Sequence, residues 1–402
     1  MKETNSKIAD LFKPQSFLLF YLLFIVIAAL SFSTTLPLKK PSLLSFVIIF
    51  ITFPFYLLGI KLGKHVYGKK IPAFINFLYI GLLTIFYGLV LTNFYKFNFY
   101  LSLALCAVAF SFIYLVILKK LDIITSATKG PSFLFIVGAV FLFMAFFQEK
   151  GIPLLNPALK VNLLHNTFFG ISMLIFIFGF TLLMPQIKED KKFFLILIIG
   201  TTLFLLSAFR GSILAIFLTG IFIAYYAKKV DNKKVFLALV VAFLLIISIG
   251  YLARPLFDPL NLFLFRAGST HVVFDDIVQK SMPFGYTHGT LFFQGNPRDF
   301  VGQEIVGKQA NITYTILGAA VMDFGIIGAV LWMFSLGMIL QIAYTNMRIK
   351  GFEGFYPLLF SLSLIFIEIG ADPFFLFFFF IFLIFYFVKN TKNRYKQMIY
   401  KS

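Results

Sequence analysis

Runs of apolar residues recur along the whole chain, separated by short clusters rich in Lys, Pro, Gly and Asn. Read between charged or Pro/Gly breaks, they predict helices at 16–35, 43–60, 71–91, 97–118, 132–148, 164–185, 193–209, 212–227, 235–252, 312–345, 355–371 and 374–388. Stretches such as Phe17 to Ser33, Phe193 to Phe209 and Val235 to Tyr251 approach or reach the roughly 18–20 apolar residues a membrane span needs. Inside a bilayer every backbone N–H and C=O must pair internally, which leaves helices and closed barrels. The runs are continuously apolar, not alternating, so barrel strands are excluded. The expected fold class is all-α, a polytopic membrane helix bundle of about twelve transmembrane helices, with residues 1–402 as one transmembrane domain. The first run, Phe17 to Thr34, ends at Thr35, Pro37 and Lys39 without a small-x-small cleavage site, and reads as a helix.

Composition supports this picture. Sixty per cent of the 402 residues are apolar, 59 are Phe, and 13% are charged, against about a quarter in soluble domains. The net charge of +19 fits cytoplasmic loop bias and attraction to anionic headgroups, so membrane lipids and not nucleic acid are the expected partners. The single cysteine, Cys106, falls mid-helix and excludes a disulfide framework or a cysteine metal site.

Twelve spans put both termini on one side. With that side inside, cytoplasmic segments carry 24 Lys and Arg and the outer segments 11, which predicts a cell-membrane protein with both termini cytoplasmic. Inside, 22 of the 24 cations are lysines, whereas four of the 11 outside are arginines. Arginine is the residue for bidentate contact with phosphate or carboxylate. His165, His271 and His288 also fall outside, so the outer face is the expected working face.

The connection from Tyr251 to Asn311 is about 60 residues long, and loops of that size are functional or disordered. Its aromatics (Phe274, Phe284, Tyr286, Phe292, Phe293, Phe300) make it too apolar for a tether. Residues 253–311 are expected to form a folded extracytoplasmic lobe with short helices on the membrane surface, bearing Arg254, Arg266, Asp275, Asp276, Arg298, Asp299 and Glu304. Arg210, in Leu205-Leu-Ser-Ala-Phe-Arg-Gly-Ser212, joins two apolar runs with almost no loop. It either snorkels to headgroups or contacts a substrate anion, since a lipid-facing charge at depth costs several kcal/mol; Gly211 allows a tight turn there. Gly151-Ile-Pro-Leu-Leu-Asn-Pro157 predicts an outer loop followed by Lys160 and His165. His271 or Asp275 is a candidate general base, and their spacing with His288 matches no metal-ligand pattern. Asp323 and Asp372 are caps or arginine partners, and Glu368 is an intramembrane carboxylate that could pair with an arginine.

The chain has no Walker or dinucleotide glycine loop, no H-E-x-x-H and no soluble nucleotide-binding domain. Any substrate therefore arrives already activated, and outer arginines suit a diphosphate carried on a lipid. Neither cofactor nor metal is expected. A transporter or flippase, which would show paired halves with broken helices, is the alternative from another class; no such repeat is visible.

Gln309-Ala-Asn311-Ile-Thr313-Tyr-Thr315-Ile-Leu-Gly318-Ala-Ala-Val-Met-Asp323-Phe-Gly325-Ile-Ile-Gly328 resembles the N-x-T-x-T-x-x-G…D-F-G-x-x-G segment of oligosaccharide repeat unit polymerases, the O-antigen (Wzy-type) polymerases and their archaeal relatives, which are related to O-antigen ligases. Gly151-Ile-Pro-Leu-Leu with its following basic residue, and Ser207-Ala-Phe-Arg210-Gly211, resemble two further segments of that family in the same order. The resemblance spans about residues 150–345 and implies a GT-C-like, metal-independent glycosyltransferase. Its donor would be a polyprenyl- or dolichyl-diphosphate-linked oligosaccharide, with a chain-length regulator as a candidate partner. By position it implies Arg210, Arg254 and Arg266 as catalytic candidates, beside His271, the candidate base read from the loop itself. Lys160, standing where an arginine is often found, joins His165, Gly211, His288, Arg298, Asn311, Thr313 and Asp323 as substrate contacts. A ligase passing the glycan to a different acceptor shares the architecture.

Overall fold

The computed structural model describes residues 12–32, 38–69, 73–126, 129–253, 259–291, 297–307, 311–350 and 354–399. The regular elements among the described residues are helices, with no strand among them. In chain order the helices are α1 (Ser16–Ser31), α2 (Leu43–Val66), α3 (Ala73–Tyr95), α4 (Phe99–Ser126), α5 (Lys129–Gln148), α6 (Leu159–His165), α7 (Thr167–Leu183) and α8 (Asp190–Leu205). They continue with α9 (Arg210–Tyr226), α10 (Asn232–Ala253), α11 (Pro259–Ser281), α12 (Pro297–Val301), α13 (Gly318–Lys350), α14 (Phe355–Ile369) and α15 (Pro373–Ile399). Among the described residues five helices are long and apolar enough to cross a membrane: Leu43–Val66, Phe74–Asn93, Lys129–Gln148, Thr167–Gln186 and Gly318–Ile349. Shorter apolar helices occupy Ser16–Ser31, Phe99–Leu115, Arg210–Tyr226, Phe355–Ile369 and Pro373–Phe387. Leu19, Phe77, Val108, Phe133, Ile198 and Phe236 point outward and are exposed, as expected where hydrocarbon is the solvent.

Helices in lipid gain little from burying apolar surface against one another, so close backbone approach through small residues is what holds them. That device recurs here. Gly59 and Gly63, four apart on one face of α2, press against the backbone of Phe334 and Met338 in α13, and Gly337 returns the contact against Tyr56. Gly138 of α5 lies on the Phe176 backbone of α7, and Gly179 of α7 on Leu134 and Phe135 of α5. A Cβ at any of these positions would collide with backbone, so each pair is locked in register.

Two sets of contacts define the ends of the bundle. At one, the Phe12 carbonyl accepts hydrogen bonds from Tyr226 at 2.7 Å and Tyr356 at 2.6 Å, where α9 ends and α14 begins. At the other, Tyr87 of α3 bonds the Pro373 carbonyl at 2.9 Å, and Ser45 of α2 meets α11. The start of α9, the end of α14, α6 and α11 all gather at this second end.

The long connection differs from expectation in one respect. Beside the short α12 it contains α11, 23 residues long. The charges that interrupt its apolar run are absorbed by partners: Ser42 donates to the Asp275 carboxylate, Gln279 donates to the same group at 2.6 Å, and Lys39 pairs with Asp276 at 2.7 Å. Phe274, Ile277 and Val278 are buried. The helix expected at 312–345 also starts later, at Gly318, and is broken at Phe324 and Gly325. Gly325 has φ 60° and ψ −140°, a conformation open essentially to glycine alone, and it brings the chain against the Pro283 carbonyl.

Candidate active site

Arg210 is the first residue of α9, and Phe209 before it is extended. The junction is tight because Ala208 takes a left-handed φ of 56°, while the Ser207 hydroxyl bonds the Phe204 carbonyl at 2.6 Å and accepts from the Phe209 N–H at 3.3 Å. Gly211 lets this corner lie against Ile369 and Phe375, at the turn between α14 and α15.

Lys160 arrives from the other side. The Leu154 N–H bonds the Leu206 carbonyl at 3.0 Å, fastening the 151–157 loop to the α8–α9 junction. Asn166 caps α7 by accepting from the N–H groups of Phe168 and Phe169, and its amide donates to Gln148 at 3.1 Å and Glu149 at 2.7 Å. Held between these two anchors, α6 lays the Lys160 ammonium over the Phe209 ring, 5.1 Å from its centroid, while Phe209 stacks on Phe169 at 4.9 Å.

Arg266 comes from the first half of α11. Its Nε donates to Glu368 Oε1, in the last turn of α14. Arg210 lies within electrostatic reach of both Arg266 and Glu368. Burial, reinforced by the charges of Arg210 and Arg266, lowers the Lys160 ammonium from its usual value to about 8. Glu368 thus serves Arg266 directly and reaches Arg210, while Lys160 feels the positive charge of both arginines. Among the described residues neither Lys160 nor Arg210 forms an ion pair, and such half-buried charge is stable only with a counter-ion. The cluster therefore carries more positive charge than its one carboxylate offsets.

The other expected residues spread around this cluster. Arg298 of α12 pairs with Asp372 at 3.0 Å, across Gly370 from Glu368. The Ile312 N–H bonds the Arg298 carbonyl at 3.3 Å, which puts exposed Asn311 beside it. Thr313 meets Thr270, one turn beyond Arg266, at 2.9 Å. His165 is exposed at the end of α6. His271 lies away from the cluster: five residues past Arg266, it faces α2, fully buried with Nε2 3.2 Å from Ser45 Oγ and its ring 4.3 Å from Phe46. Burial lowers its imidazole to about 4, opposed by Asp275, so it is neutral near pH 7. Asp323 anchors a turn, its Oδ1 accepting from Thr287 Oγ1 at 2.7 Å and from the N–H groups of Gly289 and Leu291 at 3.0 Å. His288 is exposed within that turn with φ 50°. Arg254 lies outside the described residues. Glu368 and Asp372, marked in the sequence as partners for arginines, pair with Arg266 and Arg298; Phe209 was absent from the expected site. Among the described residues no three His, Cys, Asp or Glu side chains form a group able to hold a metal.

Apolar helices and glycine-mediated contacts, with a cluster of cations at one end of the bundle, define a multi-pass membrane protein. Residues 10–380 match the family described as "Putative O-antigen polymerase", and the chain belongs to that family. It is 25% identical over 382 residues to the uncharacterized protein MJ0420 of Methanocaldococcus jannaschii, covering 91% of this chain and 90% of that one. The uncharacterized protein MJ0419 of the same organism is 26% identical over 249 residues, covering 59% of this chain and 70% of its own length. No solved structure matches. Membership implies a glycosyltransferase-like membrane enzyme of polysaccharide biosynthesis, acting on lipid-linked oligosaccharide.

Proposed function

We propose that this protein polymerises oligosaccharide repeat units carried on a polyprenyl or dolichyl diphosphate, on the outer side of the cell membrane. In this reading twelve helices cross the bilayer, both termini are cytoplasmic, and residues 253–311 form the extracytoplasmic lobe over a GT-C-like bundle. The observation that carries it is the excess positive charge of Lys160, Arg210 and Arg266 around a single carboxylate.

The chemistry follows from that charge. An acceptor hydroxyl on the next lipid-linked unit attacks the anomeric carbon of the growing glycan. The bond from that carbon to the diphosphate oxygen breaks, a glycosidic C–O bond forms, and the hydroxyl proton is lost. Negative charge grows on the departing diphosphate, and preorganised cations aimed at it lower the barrier; one such group is worth about 10²–10³ in rate. Among the described residues Lys160 and Arg210 lack an ion-pair partner, so both can meet the phosphoryl oxygens, with Arg210 able to bind two at once. Neither step calls for a metal.

The test is incubation of purified protein with a lipid-diphosphate oligosaccharide. A ladder of longer products supports the polymerase. A single transfer to another acceptor points to a ligase, and no transfer to transport.

A further inference from the structure

The cation cluster contains a carboxylate for which diphosphate binding alone gives no reason. Glu368 accepts from Arg266 and lies within electrostatic reach of Arg210. A fixed anion there competes for Arg266 and repels the ligand. The α14–α15 turn carries a second acid, Asp372, and each takes one arginine of the long connection, Arg266 or Arg298. The two pairs are not equivalent. Arg298 is 16% exposed and Arg266 31%, and the charge of Arg266 reaches both Lys160 and Arg210. One pair pins the connection to the bundle, and the other borders the receptor.

Resting on the diphosphate reading above, we propose that Glu368 is a resident counter-ion: it holds Arg266 while the site is empty and is displaced from it by the lipid diphosphate. Before binding, the carboxylate fixes the guanidinium and offsets repulsion among the three cations. After binding, it stands beside a second anion. Like-charge repulsion then weakens retention of the spent carrier, whose full charge would otherwise hold it in the site. An enzyme that binds its product as tightly as its transition state turns over slowly. Glu368 is a positioning residue that sets the balance between capture and release.

The test uses the full chain in lipid nanodiscs, with inorganic pyrophosphate as the binding probe and a lipid-diphosphate oligosaccharide for kinetics. Glu368→Gln removes the charge and keeps the shape. It is expected to bind pyrophosphate about tenfold more tightly, as loss of one like charge several ångström away allows, with KM and kcat falling together. Glu368→Asp is expected to return the affinity toward the wild-type value. If Glu368→Gln fails to insert, Glu368→Ser carries the same expectation. Unchanged or weaker pyrophosphate binding in the neutral variant, with binding lost in Arg210→Ala, overturns the counter-ion role alone. If the wild type binds no pyrophosphate and Arg210→Ala still extends glycans, the diphosphate reading fails and the counter-ion role goes with it.

Discussion

Lys160 gives the receptor a dependence on pH whose sign and size follow from its surroundings. Its ammonium is held at about 8, below the ordinary 10.5, first by burial and then by Arg210 and Arg266. That difference corresponds to roughly 3 kcal/mol against the charged form in the empty site. A bound diphosphate supplies the missing negative charge, so binding raises the lysine's affinity for its proton. Because the free-state value is depressed, charge is present below about pH 8 and lost as pH rises through it. If the charged form binds, the donor Kd is flat from pH 6.5 to 7.5 and then weakens by up to about tenfold per pH unit. Lys160→Arg keeps its charge throughout and removes the step; Lys160→Met binds weakly at every pH. The assay is titration with pyrophosphate by calorimetry in buffers of different ionisation enthalpy, which also reads the proton taken up. Identical flat profiles for wild type and Lys160→Arg between pH 7 and 9.5, with no proton uptake, would refute the reasoning.

Four further outcomes follow. Arg210→Ala is expected to lower chain extension by about 10²–10³ with normal membrane insertion; cells carrying it that still make full-length polymer would remove Arg210 from the mechanism. Extension by purified protein should persist in EDTA, and a loss restored by a divalent ion would overturn the metal-free scheme. Asp323→Ala strips three hydrogen bonds from the turn at Thr287, Gly289 and Leu291. It should destabilise that segment by about 2–3 kcal/mol, seen as faster hydrogen exchange there; unchanged exchange would count against the anchor. Gly59→Val drives a side chain into the Phe334 carbonyl and should lower the thermal midpoint by several degrees, whereas Gly81→Ala, with open space around it, should cost far less.

The sequence alone determined the helical class, the positions of the apolar helices and the end of the chain's charge distribution worth searching. Those features rest on hydrocarbon thickness and on backbone hydrogen bonding, which act locally and leave their mark in runs of residues. It also singled out Lys160, Arg210 and Arg266, because cations beside apolar runs are costly wherever they fall. What it could not supply was their meeting. Lys160 comes from α6, Arg210 from α9, Arg266 from α11 and Glu368 from α14, and no periodicity links positions so far apart. The length and orientation of α11 were likewise hidden, since its polar residues look like breaks until Ser42, Lys39 and Ser45 are seen to satisfy them. His271 and Arg266 sit five residues apart and read as one site. On a helix that spacing turns them through about 140°, so one joins the cations while the other is sealed against α2. Which charges come together depends on how whole helices pack, and only the assembled bundle decides it.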